Sequence, residues 1–271
     1  MAQSKNRPFQ HRADFTSINL PRLRQDGWLG HHRRSLLTGA AILSATAIVM
    51  VMASTAARAG NIQWIGDGSW SDPSNWKLLP GGEHVLPGGG DYVFIHSKGA
   101  NVDSPGAYAR TLTVSGSSLT VSSGGTLGLE DYVYLGRGEN TFGAATVTGK
   151  GAVLSASNVS LGWDKSNGTL LVSDGGKVNS GVSLDSGGSL LTITGAGSEL
   201  KGEYIRLYHG NTIVSDGGTL SGGYRFELPS DGKLYVGGGS TNPADAKAPG
   251  FIKSSVPILN DAAINFNHTD Q

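Results

Sequence analysis

The chain of 271 residues contains no cysteine. That absence removes thiol nucleophiles, disulfides and every thiolate metal site at once, and leaves packing and backbone hydrogen bonding to hold the protein together. Charge is also scarce, at 15% of residues, and the Glu-, Lys-, Leu- and Ala-rich runs that build helices are few, which argues against a helical bundle. What charge there is lies unevenly. Residues 1–34 carry seven Lys/Arg and two Asp, whereas residues 60–271 carry 13 Lys/Arg against 19 Asp/Glu, a net charge near −6. A mildly acidic surface does not attract a phosphate backbone, and no basic patch is interleaved with aromatics, so nucleic acid is excluded as a partner. Glycine, in contrast, is abundant at 42 residues, the mark of a turn-rich β-protein.

The N-terminal segment reads as a targeting sequence. Residues 35–53 (SLLTGAAILSATAIVMVMA) lack any charge, follow His31-His32-Arg33-Arg34, and lead into Ser54-Thr55-Ala56-Ala57-Arg58-Ala59. A basic stretch, an apolar core and a small-x-small exit are the three parts of a secretory signal, and they predict cleavage between Ala59 and Gly60 with an unusually long n-region. An uncleaved anchor is the alternative, because the apolar run approaches the roughly 20 residues that span a bilayer. The Ala, Ser and Thr content and the small-residue exit favour cleavage. Arg33-Arg34 before Ser35-Leu36-Leu37 partly matches a twin-arginine signal without completing it, so both export routes stay open. The expected location is secreted or at the cell surface, with no membrane span in the mature chain.

Beyond residue 110 short β-branched runs alternate with Gly-rich turns at a fixed period. One family comprises Val133-Tyr134-Leu135, Val159-Ser160-Leu161, Val182-Ser183-Leu184, Ile205-Arg206-Leu207 and Leu234-Tyr235-Val236, with starts 26, 23, 23 and 29 residues apart. A second comprises the runs beginning at Thr146, Leu170, Leu191 and Thr212, spaced by 24, 21 and 21. Longer echoes agree: residues 121–127 (VSSGGTL) return at 172–178 (VSDGGKV) and 214–220 (VSDGGTL), and the TGKG of 148–151 returns as TGAG at 194–197. A unit of 20–25 residues with two or three strands is one coil of a parallel β-helix, which cannot bury its inner face until coils stack. Within each Val-x-Leu run the outer residues share one side and the middle residue takes the other. Tyr134, Ser160, Ser183, Arg206 and Tyr235 are therefore expected to point outward. The Gly-Gly pairs are expected at corners needing positive φ, with the preceding Ser or Asp bonding the turn backbone. This organisation puts a cap and loop region at 60–109, repeats at 110–240, and a loop with a truncated strand at 241–271. Within the last, Ser240 to Pro257 read as loop or linker and Ile264 begins a strand pattern.

Chemistry-bearing residues are sparse. Trp64, Trp70 and Trp76, spaced by six in a Gly/Asp/Ser/Pro context, read either as an aromatic plug over the first coil or as contacts for sugar rings. Three histidines precede the cleavage site and four follow it, with no His-x-His or His-x-x-x-His pair, so a metal centre has no support. Asp174 and Asp216 recur at equivalent repeat positions, as turn residues would. Asp164, Asp185 and Glu203 are further carboxylates that could align on one side, as hydrolysis on an outer groove would require. Gly149-Lys150-Gly151 lies between strand runs and opens no helix, so it fails as a dinucleotide loop.

Taken together, residues 68–76 (GSWSDPSNW), the VSDGG repeats, TGAGS at 194–198 and INFNHTD at 264–270 resemble the N-terminal passenger region of bacterial autotransporters. The resemblance spans residues 61–271 but rests on short, low-complexity motifs. It implies a right-handed parallel β-helix displayed by a C-terminal outer-membrane β-barrel. The chain ends at Asp270-Gln271 without the alternating strands of such a barrel, so the implied translocator is absent and a truncated product, a fragment or a secreted stub is expected. The expected role is non-enzymatic, in adhesion or as a surface-structural stalk, with surface glycans or host and matrix proteins as partners and no cofactor. The alternative is a secreted polysaccharide-active or glycan-binding β-helix protein.

Overall fold

The computed structural model of the protein describes residues 59–269, so the expected signal segment lies, up to residue 58, outside the described residues. Those that are described form a solenoid of stacked coils, nearly all β, in which each coil lays short strands on three faces. Face I runs through Asn61–Trp64, Tyr92–Ile95, Thr111–Val114, Tyr132–Arg137, then 158–163, 182–184, 204–206 and 225–228, and ends on Ile258–Asn260. Face II is a nine-stranded parallel sheet that begins at Gly68–Ser69 and Gly99–Val102 and ends at Lys233–Gly237 and Ile264–Asn267. Face III takes Ala107–Ala109, Thr126–Leu129, then 153–155, 177–179, 199–202 and 219–222, and finally Phe251–Ser254. From Val153 onward faces III and I are made by single bent strands, Val153–Trp163, Lys177–Leu184, Glu199–Arg206 and Thr219–Leu228, whose register shifts at the bend.

Period-2 alternation dictates which side chains enter the core. On face I the inward rung reads Ile62, Val93, Leu112, Val133, Val159, Val182, Ile205 and Phe226, paired in register from coil to coil and all buried. Val102, Val121, Val147, Val172, Ile193, Val214 and Val236 form the matching rung on face II. Leu127, Leu154, Val178, Leu200 and Leu220 supply face III. Each fully buried aliphatic side chain contributes about 1.5–3 kcal/mol, and stacking like on like lets every coil bury the face its neighbour exposes.

The expected parallel β-helix is what the chain builds, and the outward row Tyr134, Ser160, Ser183, Arg206 is in register. Leu234-Tyr235-Val236 is a member of the other family. It pairs with Thr212 to Val214 on face II, and the successor of Ile205 is Phe226, 21 residues on. Tyr235 does point outward, but from face II. The parallel ladder also starts earlier than the repeat signal, at Asn61 against Tyr92. Residues 92–109 thus contain coil strands, while the stretch from Pro80 to Gly90 has no strand. At the other end, 241–271 contains a further coil, Phe251–Ser254, Ile258–Asn260 and Ile264–Asn267, after an excursion with a 3-10 turn at Pro243–Asp245. The C-terminal flank lacks the Gly-Gly corners that make the central coils conspicuous, and in the N-terminal flank the glycine runs at 81–82 and 88–90 fall in the strandless stretch before Tyr92.

Candidate functional site on the outer side of face I

The three tryptophans are core. Trp64 and Trp76 are fully buried and Trp70 is 4% exposed. Trp76 meets Trp64 and Trp70 edge-on, with ring centres 4.7 and 4.6 Å apart, and its Nε1 donates to Trp70 O at 2.7 Å. Trp76–Leu79 folds back antiparallel along Asn61–Trp64, closing the top edge of face I. No open ring face is left for a sugar, so the glycan-contact reading of Trp64, Trp70 and Trp76 is corrected to that of an aromatic plug. Ala59, on the predicted cleavage bond, is exposed, and Gly60 on its other side is half-buried.

Open aromatic rings lie elsewhere, on the outer side of face I. Tyr134 heads the outward row, with Tyr132 stacked beside it at 5.8 Å between ring centres, Trp163 edge-on at 6.4 Å, and the Arg137 guanidinium 4.4 Å from its ring centre. Trp163 is 50% exposed. Below Tyr134 the row continues through Ser160 and Ser183 to Arg206, which lies 5.0 Å from the ring of Tyr204. A groove of about 640 Å³ runs between these side chains. Its floor is polar and tightly bonded. The Ser160 and Ser183 hydroxyls both donate to Asp185 Oδ2, at 2.6 and 3.0 Å, and Asn158 Nδ2 donates to Ser183 Oγ at 3.3 Å.

The lower rim is built around Glu227, which pairs in register with Arg206. It is only 9% exposed and accepts from Tyr208 at 3.0 Å, from Arg225, and faces Arg206 at 3.9 Å. Partial burial pushes the Tyr208 hydroxyl to a higher pKa, and donation to Glu227 with the charge of that carboxylate pushes the same way. Tyr208 therefore stays a neutral donor at physiological pH. Asp185 in the groove and Glu227 behind its lower rim are both engaged by hydroxyls or guanidinium groups, which suits holding a ligand more than shuttling protons to one.

At the bend between faces III and I the groove opens into a second trough of about 610 Å³, reached past Ser157 and Tyr204. Its outward row is Asn179, Lys201, Ser221 and Lys253, one per coil. The floor is backbone: a Cβ on Gly202 would lie 2.3 Å from Ser180 O, and one on Gly222 would lie 2.7 Å from the Phe226 ring.

Of the carboxylates singled out from sequence, Asp185 lines the groove and Glu203 the trough, while Asp164 lies in the turn after Trp163 at φ +61°. Asp174 and Asp216 sit at corners at φ +51°. They bond differently from expectation, because each carboxylate accepts from a Thr of the preceding coil, Thr148 or Thr194, at 2.9 Å. Among the described residues no group of three or more His, Asp or Glu comes together to hold a metal ion. Nor is any helix among them long and apolar enough to cross a membrane. Tyr132, Trp163, Tyr204 and Tyr208 escaped sequence reasoning, because they flank the Val-x-Leu runs rather than occupy their middle. Their signal was there: Tyr132 and Tyr204 stand immediately before Val133 and Ile205. Comparison of the chain with protein-family models, curated proteins and solved structures gives no match.

Proposed function

We propose that the protein is exported, loses residues 1–59, and acts as a non-enzymatic adhesive solenoid of the bacterial surface, a passenger of the autotransporter kind, gripping glycan chains in the groove of face I. One observation carries the reading. Exposed rings at Tyr132 and Trp163, flanking the half-buried ring of Tyr134, stand beside a row of hydroxyl, amide and carboxylate groups at Ser160, Ser183, Asn158 and Asp185. Sugar rings present an apolar face to stack on aromatics and a fringe of hydroxyls for polar side chains. Successive coils are spaced by about 4.8 Å, so a linear glycan lying along the axis meets a fresh rung at each step.

Binding to a panel of surface glycans, followed by titration of the best ligand, tests this. Replacing Trp163 or Tyr134 by Ala is expected to weaken binding about fivefold each, in line with an aromatic stacking energy of about 1 kcal/mol, while leaving the fold intact. Failure of the wild-type protein to bind any glycan of the panel, or affinity unmoved by both replacements, overturns the reading.

A further inference from the structure

The residue immediately before the ladder is also the residue that processing would expose. Gly60 O accepts from Tyr92 N at 2.8 Å, the bond that opens the parallel pairing of the first two coils. Gly60 N donates to Asp91 Oδ1 at 2.8 Å. Asp91 is 2% exposed, its Oδ2 accepts from Gly88 N at 3.0 Å, and its backbone carbonyl takes both Arg110 N and Thr111 N of the next coil. The carboxylate of this one buried residue thus ties the start of the chain's fold to the end of the loop before Tyr92, and its backbone carbonyl ties both to the coil that follows. The motif Ala57-Arg58-Ala59 places the scissile bond at the nitrogen this carboxylate holds.

We propose that Asp91 is the receptor for the α-ammonium group that cleavage creates at Gly60, so that removal of the leader completes a buried ion pair and locks the first coil. The inference rests on reading residues 1–59 as a cleaved export signal. In the cleavage, carried out by a leader peptidase, the Ala59–Gly60 amide bond breaks. Water gives its hydroxyl to the Ala59 carbonyl carbon and a proton to the Gly60 nitrogen; the new carboxyl then loses a proton and the new amine gains one. A neutral amide donor becomes a cationic one at the same atom, and a charge-assisted bond to a buried carboxylate is about twice as strong as a neutral one. Glycine at this position adds no side chain to the half-buried corner. On the flanking residues, the Arg110 guanidinium bonds Asp131 at 2.8 Å and lies 5.4 Å from the centre of the Tyr92 ring.

The test uses the full-length chain expressed in a bacterial host, with the exported product purified and its N-terminus read by mass spectrometry. Gly60 is the expected first residue, with its α-amine, followed by NMR, titrating at least one unit above the ordinary range of roughly 7.7–8.0. Asp91→Asn, or insertion of one alanine between Ala59 and Gly60 to move the charge outward, is expected to return the amine to that range and to lower Tm by about 3 °C or more. The insertion keeps Asp91, so the comparison stands even where Asp91→Asn does not fold. A product beginning at Gly60 with an ordinary amine titration and an unchanged Tm on insertion overturns the lock while leaving the export reading intact. A product beginning elsewhere overturns the cleavage site, and the lock with it.

Discussion

A Gly-Gly corner asks two different things of its two glycines. In Ser173-Asp174-Gly175-Gly176 the first glycine has φ +86° with open space where a Cβ would go. The second has an ordinary φ, but its Cβ would lie 2.3 Å from Val147 O of the coil before. Backbone conformation requires Gly175, and the approach of a neighbouring coil requires Gly176. Gly175→Ala is expected to cost about 1–2 kcal/mol, the penalty of a left-handed L-residue. Gly176→Ala must push two coils apart and is expected to cost about 3 kcal/mol or more. Urea unfolding of the two variants decides between these causes, because equal losses, or the reverse order, would mean that the corner is set by φ alone. The pair was legible in the sequence as a corner. The separate reason for its second member was not, because that reason is an oxygen 29 residues earlier in the chain, brought close only by the stacking.

Strand by strand, what the sequence discloses depends on whether a corner announces it. Val133, Val159, Val182 and Ile205 are legible in the correct phase, because Gly or Asp follows the first three runs and the spacing stays between 23 and 26. The spacing then shortens to 21 residues for Phe226 and stretches to 32 for Ile258, and the run that resembles the Val-x-Leu pattern next, at Leu234, lies on face II. The groove was half legible: its middle row follows from alternation, whereas Asp185 joins Ser160 only through pairing of coils 25 residues apart. The antiparallel strand Trp76–Leu79 gave no periodic signal at all, since it occurs once. Its function as a lid makes a prediction at this scale. Trp76→Ala removes the ring that both other tryptophans pack against, and is expected to cost about 3–5 kcal/mol with loss of protection in the first coil. Hydrogen exchange of the amides of Tyr92–Ile95 reads it directly, and protection there unchanged in the variant would show that the plug is dispensable.

Across the whole solenoid, stability is a chain of neighbour-to-neighbour contacts, so each coil is as secure as the two faces it shares. The described coils differ in that respect. The first is closed by Trp64, Trp70 and Trp76, all buried, and by the antiparallel strand. Central rungs such as Val159, Val182 and Ile205 are fully buried between partners on both sides. In the last coil Ile252, Ile258 and Ile264 are only partly buried and Phe266, stacked inward on Val236, is 70% exposed. Forfeiting about 1 kcal/mol at each of three half-buried aliphatic side chains makes that coil roughly 3 kcal/mol easier to open. Native-state hydrogen exchange is therefore expected to show an asymmetric gradient: full protection from the first coil through the centre, then exchange on the order of 100-fold faster in Phe251–Ser254, Ile258–Asn260 and Ile264–Asn267. Uniform protection along the axis would contradict nearest-neighbour stacking and mean that the solenoid opens as one block. A symmetric gradient would mean that the tryptophan lid does not seal its end. Under the asymmetric outcome the groove over Tyr134, Ser160, Ser183 and Arg206 lies on the most protected coils of the molecule, where a contact surface keeps its geometry while the far end frays.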